Sequence, residues 1–401
     1  MFARRNWTPR NCRCTVSDQP HHRRSRARDG LRVGFFIDRF DVGGSELNAV
    51  KVAESLAALG VHLTVFHLSA DGALRERYQR AGIDLIHTPV QGLLSASAWQ
   101  VMRTVRREAR ARGIELLHAH CVYTNILGAG AASLPGRSLP LLVSRRWTGS
   151  LPRRSLGVLN RVAQSVGTGV LVNSPSLLRV VQRESPFAKP IYVPNILRDH
   201  SYVSLSPEER AERRRRLGVL GNGPVVGCVA RLAPVKDHAT LFAAWRLVIE
   251  AIPDAQLIVI GDGPLRSTLL EWAAESAMRG SIHVVGELAP ESLPHALLDV
   301  SVLSSLDEGF PNSLLEAMAQ GVVVVSTRVG GVPDLVQDRK NGMLVGARTP
   351  AQLASAICDV LASRVDVDGM RAMGRVTAEQ HREANVMADL LSLYERLRGV
   401  S

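Results

Sequence analysis

Short apolar runs alternate with segments of helical periodicity along most of this chain, in two series separated by one break. Such alternation predicts parallel β-strands covered by helices, because the crossover between two parallel strands needs a helix. The first series predicts strands at 31–38, 62–68, 116–120, 139–143, 169–173 and 190–193, with helices such as 45–59 and 98–112. The second predicts strands at 225–230, 256–260, 282–285, 300–304, 322–326 and 343–345. The chain is therefore expected to form two doubly wound, Rossmann-like domains.

The break gives the expected division of the chain into segments. Residues 199–223 should form a linker with one short helix, for which Ser206, Pro207 and Glu209 fit a capping box. We expect an N-terminal domain at 31–198 and a C-terminal domain at 224–376. Residues 377–401 should hold one last helix, 377–398, that crosses back to the first domain, because no strand follows it. Open α/β sheets bind ligands at the carboxyl ends of their strands, so the cleft between the domains is the expected site.

The formal net charge of +12 is of the size seen in nucleic-acid-binding proteins. About half of it lies in residues 1–30, where eight arginines stand against two aspartates, and this tail is expected to be disordered. The other basic run, Arg213–Arg216, has no aromatic residues interleaved with it, so a nucleic-acid partner is not expected.

Cysteine and apolar content indicate the compartment. Five cysteines in 401 residues fit neither a disulfide framework nor a zinc pattern, which favours a reducing cytoplasm. No signal-peptide core follows the basic N-terminus, and no uninterrupted run of about 18 apolar residues occurs. Helix 98–112 places a basic face opposite Trp99, which would suit peripheral contact with anionic lipid at the inner membrane face, although a solvated face is the simpler interpretation. The basic residues of this face are Arg103, Arg106, Arg107 and Arg110.

The segment 307–316, after the predicted strand 300–304, has the composition of an anion-binding turn. Gly309 permits close backbone approach and Pro311 suits the first helical turn, so amides near the helix start would point towards an anion. Glu308 and Glu316 are expected to face one cleft about 10 Å apart, where a carboxylate can accept two ribose hydroxyls. The structural alternative is an acidic first turn with an exposed glutamate. Candidate donor contacts here are Gly309, Phe310, Pro311, Asn312, Ser313 and Glu316.

Two other turns of the second series carry candidate residues. Arg231 and Lys236 lie five residues apart at the end of strand 225–230, where they could clamp a diphosphate from both sides. Gly261 and Gly263, after strand 256–260, form a tight turn that could approach a nucleotide. This turn lacks the third glycine of a dinucleotide fingerprint, so a dehydrogenase finds little support.

The order of these motifs resembles the donor domain of glycosyltransferase family 4. The resemblance lies in GxxARLxxxK, VIGDGP, the two glutamates separated by seven residues, and the segment TRVGGVPD at 327–334. It covers about residues 31–401 and is strongest over 225–345. It implies an α/β fold of GT-B type, with two facing Rossmann-like doubly wound domains and an inter-domain cleft. It further implies a bacterial, retaining, metal-independent hexosyltransferase without a cofactor.

The resemblance also implies substrates and residue roles. The donor would be a UDP- or GDP-linked sugar, and the acceptor a glycan or lipid-linked molecule of polysaccharide or glycolipid biosynthesis. Arg231 and Lys236 would neutralise the leaving diphosphate, Glu316 would bind ribose and Glu308 would lie beside the sugar. The loop 309–312 would hold sugar hydroxyls or phosphate. The expected catalytic residues are His120, Glu308, Arg231 and Lys236.

Signals in the first series are weaker. Gly43, Gly44 and Glu46 form a well-built helix start, and the family has a similar loop facing the donor phosphates and the acceptor. His118 and His120 share one strand face, which leaves a metal site, structural histidines or a cleft role for His120 open. The resemblance favours contact of His120 with the sugar.

Arg145 and Arg146 stand where relatives commonly have Thr-x-His, so either could meet an anionic acceptor. Other function classes also stay open. They are a nucleotide-sugar epimerase or hydrolase on the same fold, a non-catalytic nucleotide-sugar-binding protein, and a polyanion-binding protein.

Overall fold

The computed structural model describes residues 30–147, 154–202, 204–219, 221–275, 278, 280–289, 292 and 294–399. The predicted tail, 1–30, lies outside the described residues except for Gly30. The described residues contain two parallel sheets, each covered by helices on both faces, as the alternation predicts.

The first sheet has seven parallel strands in the order β3-β2-β1-β4-β5-β6-β7. The strands are β1 (Arg32–Ile37), β2 (His62–His67), β3 (Asp84–His87), β4 (Leu116–Ala119), β5 (Leu141–Arg145), β6 (Gly169–Val172) and β7 (Pro190–Tyr192). The helices are α1 (Gly44–Ala58), α2 (Arg75–Arg80), α3 (Ala96–Ala111), α4 (Val122–Ser133), α5 (Arg154–Val166) and α6 (Pro175–Glu184). The edge strand β3 was not predicted, because its four residues are polar at both ends and form no apolar run.

The second sheet has six parallel strands in the order β10-β9-β8-β11-β12-β13. The strands are β8 (Val225–Val229), β9 (Gln256–Ile260), β10 (Ile282–Gly286), β11 (Val300–Leu303), β12 (Val323–Thr327) and β13 (Met343–Val345). The helices are α7 (Pro207–Arg216), α8 (His238–Ala251), α9 (Arg266–Ala273), α10 (Asn312–Ala319), α11 (Val332–Leu335), α12 (Pro350–Leu361), α13 (Val367–Glu379) and α14 (Glu383–Arg398). The capping box predicted for α7 is confirmed, since Ser206 and Glu209 satisfy each other's backbone N–H groups.

The prediction of one continuous helix over 377–398 is wrong. Helix α13 ends at Glu379 and α14 begins at Glu383, because the intervening backbone pairs with Leu197 instead of continuing a helix. The N–H of Leu197 donates to the carbonyl of His381 over 2.8 Å, and the N–H of Glu383 donates to the carbonyl of Leu197 over 3.0 Å. The chain has two halves, each of which contains one sheet. It crosses from the first half to the second near Leu197 and returns beside that point at residues 381–383.

Helix α14 packs on the first sheet although it follows the second in sequence. Its residues Val386, Leu390 and Tyr394 are buried in one apolar cluster with β1, β2 and α1. Burying a side chain of this size contributes about 1.5–3 kcal/mol. The last helix thereby anchors one half of the chain to the other.

Candidate active site

Most of the predicted site residues lie near two points, one in each sheet, where the strand order reverses. These points are the carboxyl ends of β1 and β4 in the first sheet and of β8 and β11 in the second. Ligands bind at such points in open α/β sheets, because the loops diverge there and leave a crevice. Gly43, Gly44 and Glu46 follow β1, His120 follows β4, Arg231 and Lys236 follow β8, and Glu308 follows β11.

The Lys236 ammonium group lies against the Glu308 carboxylate, with 2.5 Å between Nζ and Oε1. Both side chains are largely buried, at 20% and 9% exposure. Ser305 donates a second hydrogen bond to the same Glu308 oxygen over 2.6 Å. Ser304 donates to the carbonyl oxygens of Lys236 and Asp237, which ties the loop after β11 to the loop after β8. The two neighbouring strands thus hold one cation and one carboxylate in a fixed arrangement.

Arg231 lies in the same loop as Lys236 but is exposed. Its side chain forms no hydrogen bond or ion pair with any residue that the structure describes. A planar guanidinium with unused donors suits the oxygens of a diphosphate.

Gly261 and Gly263 support the Arg231 loop. Their φ angles are 143° and 153°, and a Cβ on either would overlap the carbonyl oxygen of Ala230 or Leu232. These positions therefore need glycine for close backbone packing. Their contact with a nucleotide stays a prediction.

The loop that begins at Glu308 lies where the two halves of the chain touch. A Cβ added at Gly309 would overlap the backbone carbonyl of Arg146, so a side chain there would push the halves apart. Behind the loop, Gly330 has a φ of 47° and packs on the Glu308 carbonyl, to which the N–H of Gly331 donates over 2.8 Å. The two glycines stand in the TRVGGVPD motif but are not among the predicted site residues.

The N-termini of two helices face each other across this contact. Helix α10 begins at Asn312 with Pro311 as its N-cap, so Pro311 precedes the first helical turn in which it was predicted. Asn312 accepts a hydrogen bond from Asn195 over 2.8 Å. A Cβ added at Gly44, the first residue of α1, would lie only 3.6 Å from the Asn312 amide nitrogen. Facing helix N-termini direct their positive dipole ends into the same space, which favours an anion.

Two further members of the predicted donor loop have their own surroundings. The ring of Phe310 packs against His381, with 5.3 Å between centroids, at the crossing between the two halves. Ser313 is half-buried in the first turn of α10.

Glu316, predicted to share a cleft with Glu308, is held by a residue that sequence reasoning missed. Lys51, on α1, lies 3.4 Å from one carboxylate oxygen, and the fully buried His295 lies 3.9 Å from the other. Burial lowers the pKa of His295 to about 4, so its ring is neutral near pH 7. Lys51 and Glu316 are 265 residues apart in sequence. The rarity of lysine, with four in the chain, is the only signal that could have drawn attention to Lys51.

His118 and His120 differ sharply in their hydrogen bonding although their rings stack with 4.0 Å between centroids. The two nitrogens of His118 bond to the Tyr394 hydroxyl over 2.6 Å and the Ser144 hydroxyl over 2.9 Å. Neither nitrogen of the buried His120 has a partner within the described part of the chain. Burial lowers the pKa of both histidines well below its usual range. The two ring nitrogens of His120 are therefore available to a ligand, and its contact with the sugar stays a prediction.

A narrow pocket at the end of β1 is lined by His120, Glu46 and Asp38 among others. Burial is the main cause that raises the pKa of both carboxyl groups. The Glu46 carboxylate folds back so closely that a Cβ at Gly43 would overlap it. The pocket therefore presents an imidazole and two carboxyl groups, which are common partners of hydroxyl groups.

The two arginines that were predicted on the acceptor side have different partners in the structure. Arg145 is buried and lies 3.5 Å from Glu184, the last residue of α6. Arg146, 7% exposed, donates to Asn195 over 3.3 Å, while its Nε has no partner among the described residues. Burial lowers the pKa of Arg146 to about 10, so the group stays protonated at neutral pH.

Within the described ranges, no three His, Cys, Asp or Glu side chains lie together in a way that could hold a metal ion. None of the helices found there is long and apolar enough to cross a membrane.

Two known family patterns match the chain, one on each half. Residues 42–196 match the family described as Glycosyltransferase Family 4, and residues 223–363 match Glycosyl transferases group 1. The chain belongs to the family 4, group 1 glycosyltransferases. The first match contains His120, and the second contains Arg231, Lys236, Glu308 and Glu316.

Relatives of this family 4 chain include glycosyltransferases that are named for different substrates. The GDP-mannose-dependent alpha-(1-6)-phosphatidylinositol monomannoside mannosyltransferase of Mycobacterium tuberculosis is 33% identical over 233 residues, 55% of this chain and 60% of that protein. The 2-deoxystreptamine N-acetyl-D-glucosaminyltransferase of Streptomyces fradiae is 26% identical over 387 residues, 88% of each chain. This chain thus spans less than two thirds of the first relative and most of the second.

Solved structures share the fold of this family 4 chain. Anabaena HepE in complex with UDP superimposes with a TM-score of 0.76 at 21% identity, covering 91% of this chain and 100% of HepE. A glycosyltransferase from Rickettsia africae gives a TM-score of 0.80 at 15% identity, covering 92% of this chain and 99% of that one. Together with the two parallel sheets, these likenesses confirm the predicted GT-B fold.

Proposed function

We propose that this family 4 chain is a retaining glycosyltransferase that moves a sugar from a UDP- or GDP-linked donor to an acceptor hydroxyl. The observation that carries the proposal is the meeting of the α1 and α10 N-termini at Gly44 and Asn312, four residues after Glu308. Helix N-termini and neighbouring cations together favour a group with several negative oxygens, such as a diphosphate.

On the donor side, negative charge grows on the diphosphate as its bond to the anomeric carbon breaks. Arg231, Lys236 and the N-terminus of α10 stabilise that charge. Glu308 engages one of the three N–H donors of Lys236 and leaves two for phosphate oxygens. The ion pair fixes the ammonium group before the donor arrives, so little reorganisation is needed during transfer.

The remaining donor contacts follow the predicted assignment. Glu316 accepts the ribose hydroxyls, and Glu308 and His120 position the sugar. Gly43, Gly44, Gly261, Gly263 and the loop from Gly309 to Ser313 supply close backbone contacts.

On the acceptor side, Glu46 and Arg146 are the residues that we assign to binding. Arg146 is a buried cation with an unused donor, which suits an acceptor that carries a phosphate. Two relatives act, by their names, on phosphatidylinositol monomannoside and on D-inositol 3-phosphate. The proposed acceptor is a glycan or lipid-linked molecule of polysaccharide or glycolipid biosynthesis.

A lipid-linked acceptor requires access to a membrane surface, for which α3 is the proposed contact. Trp99 is 54% exposed, and Arg103, Arg107 and Arg110 are exposed on the same helix. Arg106, predicted as part of this face, instead donates to the carbonyl of Arg137 over 2.5 Å. The proposed location is therefore the cytoplasmic face of the inner membrane.

Vesicle flotation tests this contact. The wild type should float with vesicles that contain phosphatidylglycerol but not with phosphatidylcholine alone, and Arg103→Glu with Arg110→Glu should abolish flotation. Equal flotation of wild type and double variant would refute the role of α3.

Thermal unfolding with UDP-, GDP- and ADP-sugars tests the proposed function, because a bound donor raises the unfolding midpoint. The stabilising donor, labelled in its sugar, is then incubated with phosphatidylinositol mannoside, inositol 3-phosphate and 2-deoxystreptamine. Transfer of label with retained anomeric configuration supports the proposal. Donor consumption without transfer indicates an epimerase or hydrolase, and stabilisation without consumption indicates a binding protein; either result contradicts the proposal.

A further inference from the structure

The ring of His118 is fixed on both sides by hydroxyl groups from distant parts of the chain. Its Nδ1 bonds to the Tyr394 hydroxyl over 2.6 Å, and its Nε2 bonds to the Ser144 hydroxyl over 2.9 Å. All three side chains are buried, with exposures of 0–1%. A ring whose two nitrogens are both bonded cannot flip without breaking both bonds, so its plane is set by Tyr394 and Ser144.

Tyr394 reaches this position from the far end of the chain. It lies on α14, after the second sheet, and is 276 residues from His118 in sequence. Its ring meets His118 edge-on, at 82° with 5.8 Å between centroids. The helix that returns from the second half therefore contributes a polar contact to the site in the first.

His120, in contrast, packs against two neighbouring rings. It stacks on His118 at 29° and lies 4.4 Å from the ring of Phe35 between centroids. Its two nitrogens have no partner among the described residues and the side chain lines the pocket beside Glu46. The direction in which those nitrogens point therefore depends on the plane of His118.

We propose that Tyr394 is a positioning residue for the donor sugar: its hydroxyl fixes the ring of His118, and that ring fixes His120 against the sugar. The inference rests on the proposed function, in which His120 contacts the sugar. Tyr394 itself does not touch the substrate.

Loss of the Tyr394 hydroxyl leaves His118 with one hydrogen bond, so its ring and that of His120 can take several orientations. The part of the binding energy that comes from the sugar should then fall, whereas the nucleotide part should not. Misplacing one hydrogen-bonding group costs about five- to tenfold in affinity.

Calorimetric titration of the full chain separates these parts. The probes are UDP and GDP, and their sugar forms UDP-glucose and GDP-mannose. For the pair that binds, Tyr394→Phe should weaken the sugar nucleotide about five- to tenfold and leave the free nucleotide unchanged. Tyr202→Phe is the matched control, because it removes a tyrosine hydroxyl that bonds to the Ala378 carbonyl over 2.8 Å. It should change neither affinity.

A double-mutant cycle tests whether Tyr394 acts on sugar binding through His120. In a His120→Ala background, Tyr394→Phe should have no further effect on sugar-nucleotide affinity, because the group that it positions is absent. Ser144→Ala removes the opposite hydrogen bond of His118 and should reproduce the loss if Tyr394→Phe does not fold.

The outcomes distinguish the two proposals. If His120→Ala loses the sugar preference but Tyr394→Phe and Ser144→Ala keep it, the positioning role is refuted and the proposed function stands. An additive effect of Tyr394→Phe on His120→Ala also refutes it. If the wild type binds none of the four probes, the proposed function itself fails.

Discussion

At the scale of single residues, the site is built from two lysine–carboxylate pairs. Lys236 pairs with Glu308 within the second half, and Lys51 pairs with Glu316 across the two halves. The sequence predicts Lys236 and Glu308 because they follow recognisable strand ends, and Glu316 because it lies in the helix that follows Glu308. It does not predict Lys51, because nothing in the local pattern of α1 shows what lies opposite that helix in space.

The cross-half pair predicts competition between Lys51 and the donor. If Glu316 accepts ribose hydroxyls, its bond to Lys51 must weaken when the donor binds. Lys51→Met should therefore tighten UDP or GDP binding, by up to about fivefold, since a partly exposed ion pair contributes about 0–1 kcal/mol. Calorimetric titration measures the change, with Lys51→Arg as a charge-preserving control. Weaker nucleotide binding by Lys51→Met would show that Lys51 helps the donor to bind.

At the scale of elements, the strong βαβ rhythm made most strands and helices predictable. The misses have physical causes. Strand β3 is a short edge strand that has no apolar run of its own, and its backbone pairing with β2 holds it in the sheet. The break between α13 and α14 comes from backbone pairing with Leu197, a contact that no helical periodicity in 377–398 can reveal. These elements could not be predicted because a local pattern shows only the preference of the segment itself, whereas contacts with residues distant in sequence determine β3 and the break between α13 and α14.

The turn at Gly330 gives a prediction at this scale. A side chain at a φ of 47° is strained and would overlap the Glu308 carbonyl. Gly330→Ala should lower the free energy of unfolding by more than about 1 kcal/mol and reduce transfer, because the Glu308 loop must move.

Gly82→Ala is the matched control for Gly330→Ala. Gly82 has a φ of 69° and nothing within 4 Å of an added Cβ, so only the backbone strain is shared. Denaturant unfolding and the transfer assay compare the two. A Gly330→Ala variant no worse than Gly82→Ala in both assays would refute the supporting role of this turn.

At the scale of the whole molecule, the sequence predicts two facing halves and a last helix that crosses back, but not the residues that join the halves. Leu197 and residues 381–383 join the halves at one crossing, and α14 then contributes Tyr394 to the site of the other half. The limits 31–198, 199–223 and 224–376 stay predictions for the domains. Contacts between halves depend on how two finished surfaces fit, which a pattern along one chain does not contain.

The whole molecule should lose stability in mild acid. Burial is the main cause that lowers the pKa of seven histidines, which are His67, His118, His120, His238, His283, His295 and His381. For His238 and His295 it falls to about 4. Unfolded histidines bind protons near pH 6.5, so between about pH 6.5 and 4 the unfolded state binds more protons than the folded one. The free energy of unfolding therefore decreases as the pH is lowered, by at most about 1.4 kcal/mol per pH unit for each histidine.

Thermal unfolding at about pH 7.5 and about pH 5 measures this loss. His238→Gln should reduce the difference between the two midpoints, whereas His62→Gln, at an exposed position, should not. An unfolding midpoint that stays constant or rises towards pH 5 would contradict the role of the buried neutral histidines.

In the proposed function, the cleft releases a nucleoside diphosphate whose charge is stabilised by protein cations. The most direct test measures UDP or GDP release from the bound sugar donor, with its acceptor and excess EDTA, by wild type, Lys236→Ala and Lys340→Ala. Lys340 is an exposed lysine of the second half and serves as the matched control. The wild type and Lys340→Ala should turn over, while Lys236→Ala should keep its fold and lose about 10²–10³-fold in rate. Near-normal release by a folded Lys236→Ala variant would contradict this role of the protein cations.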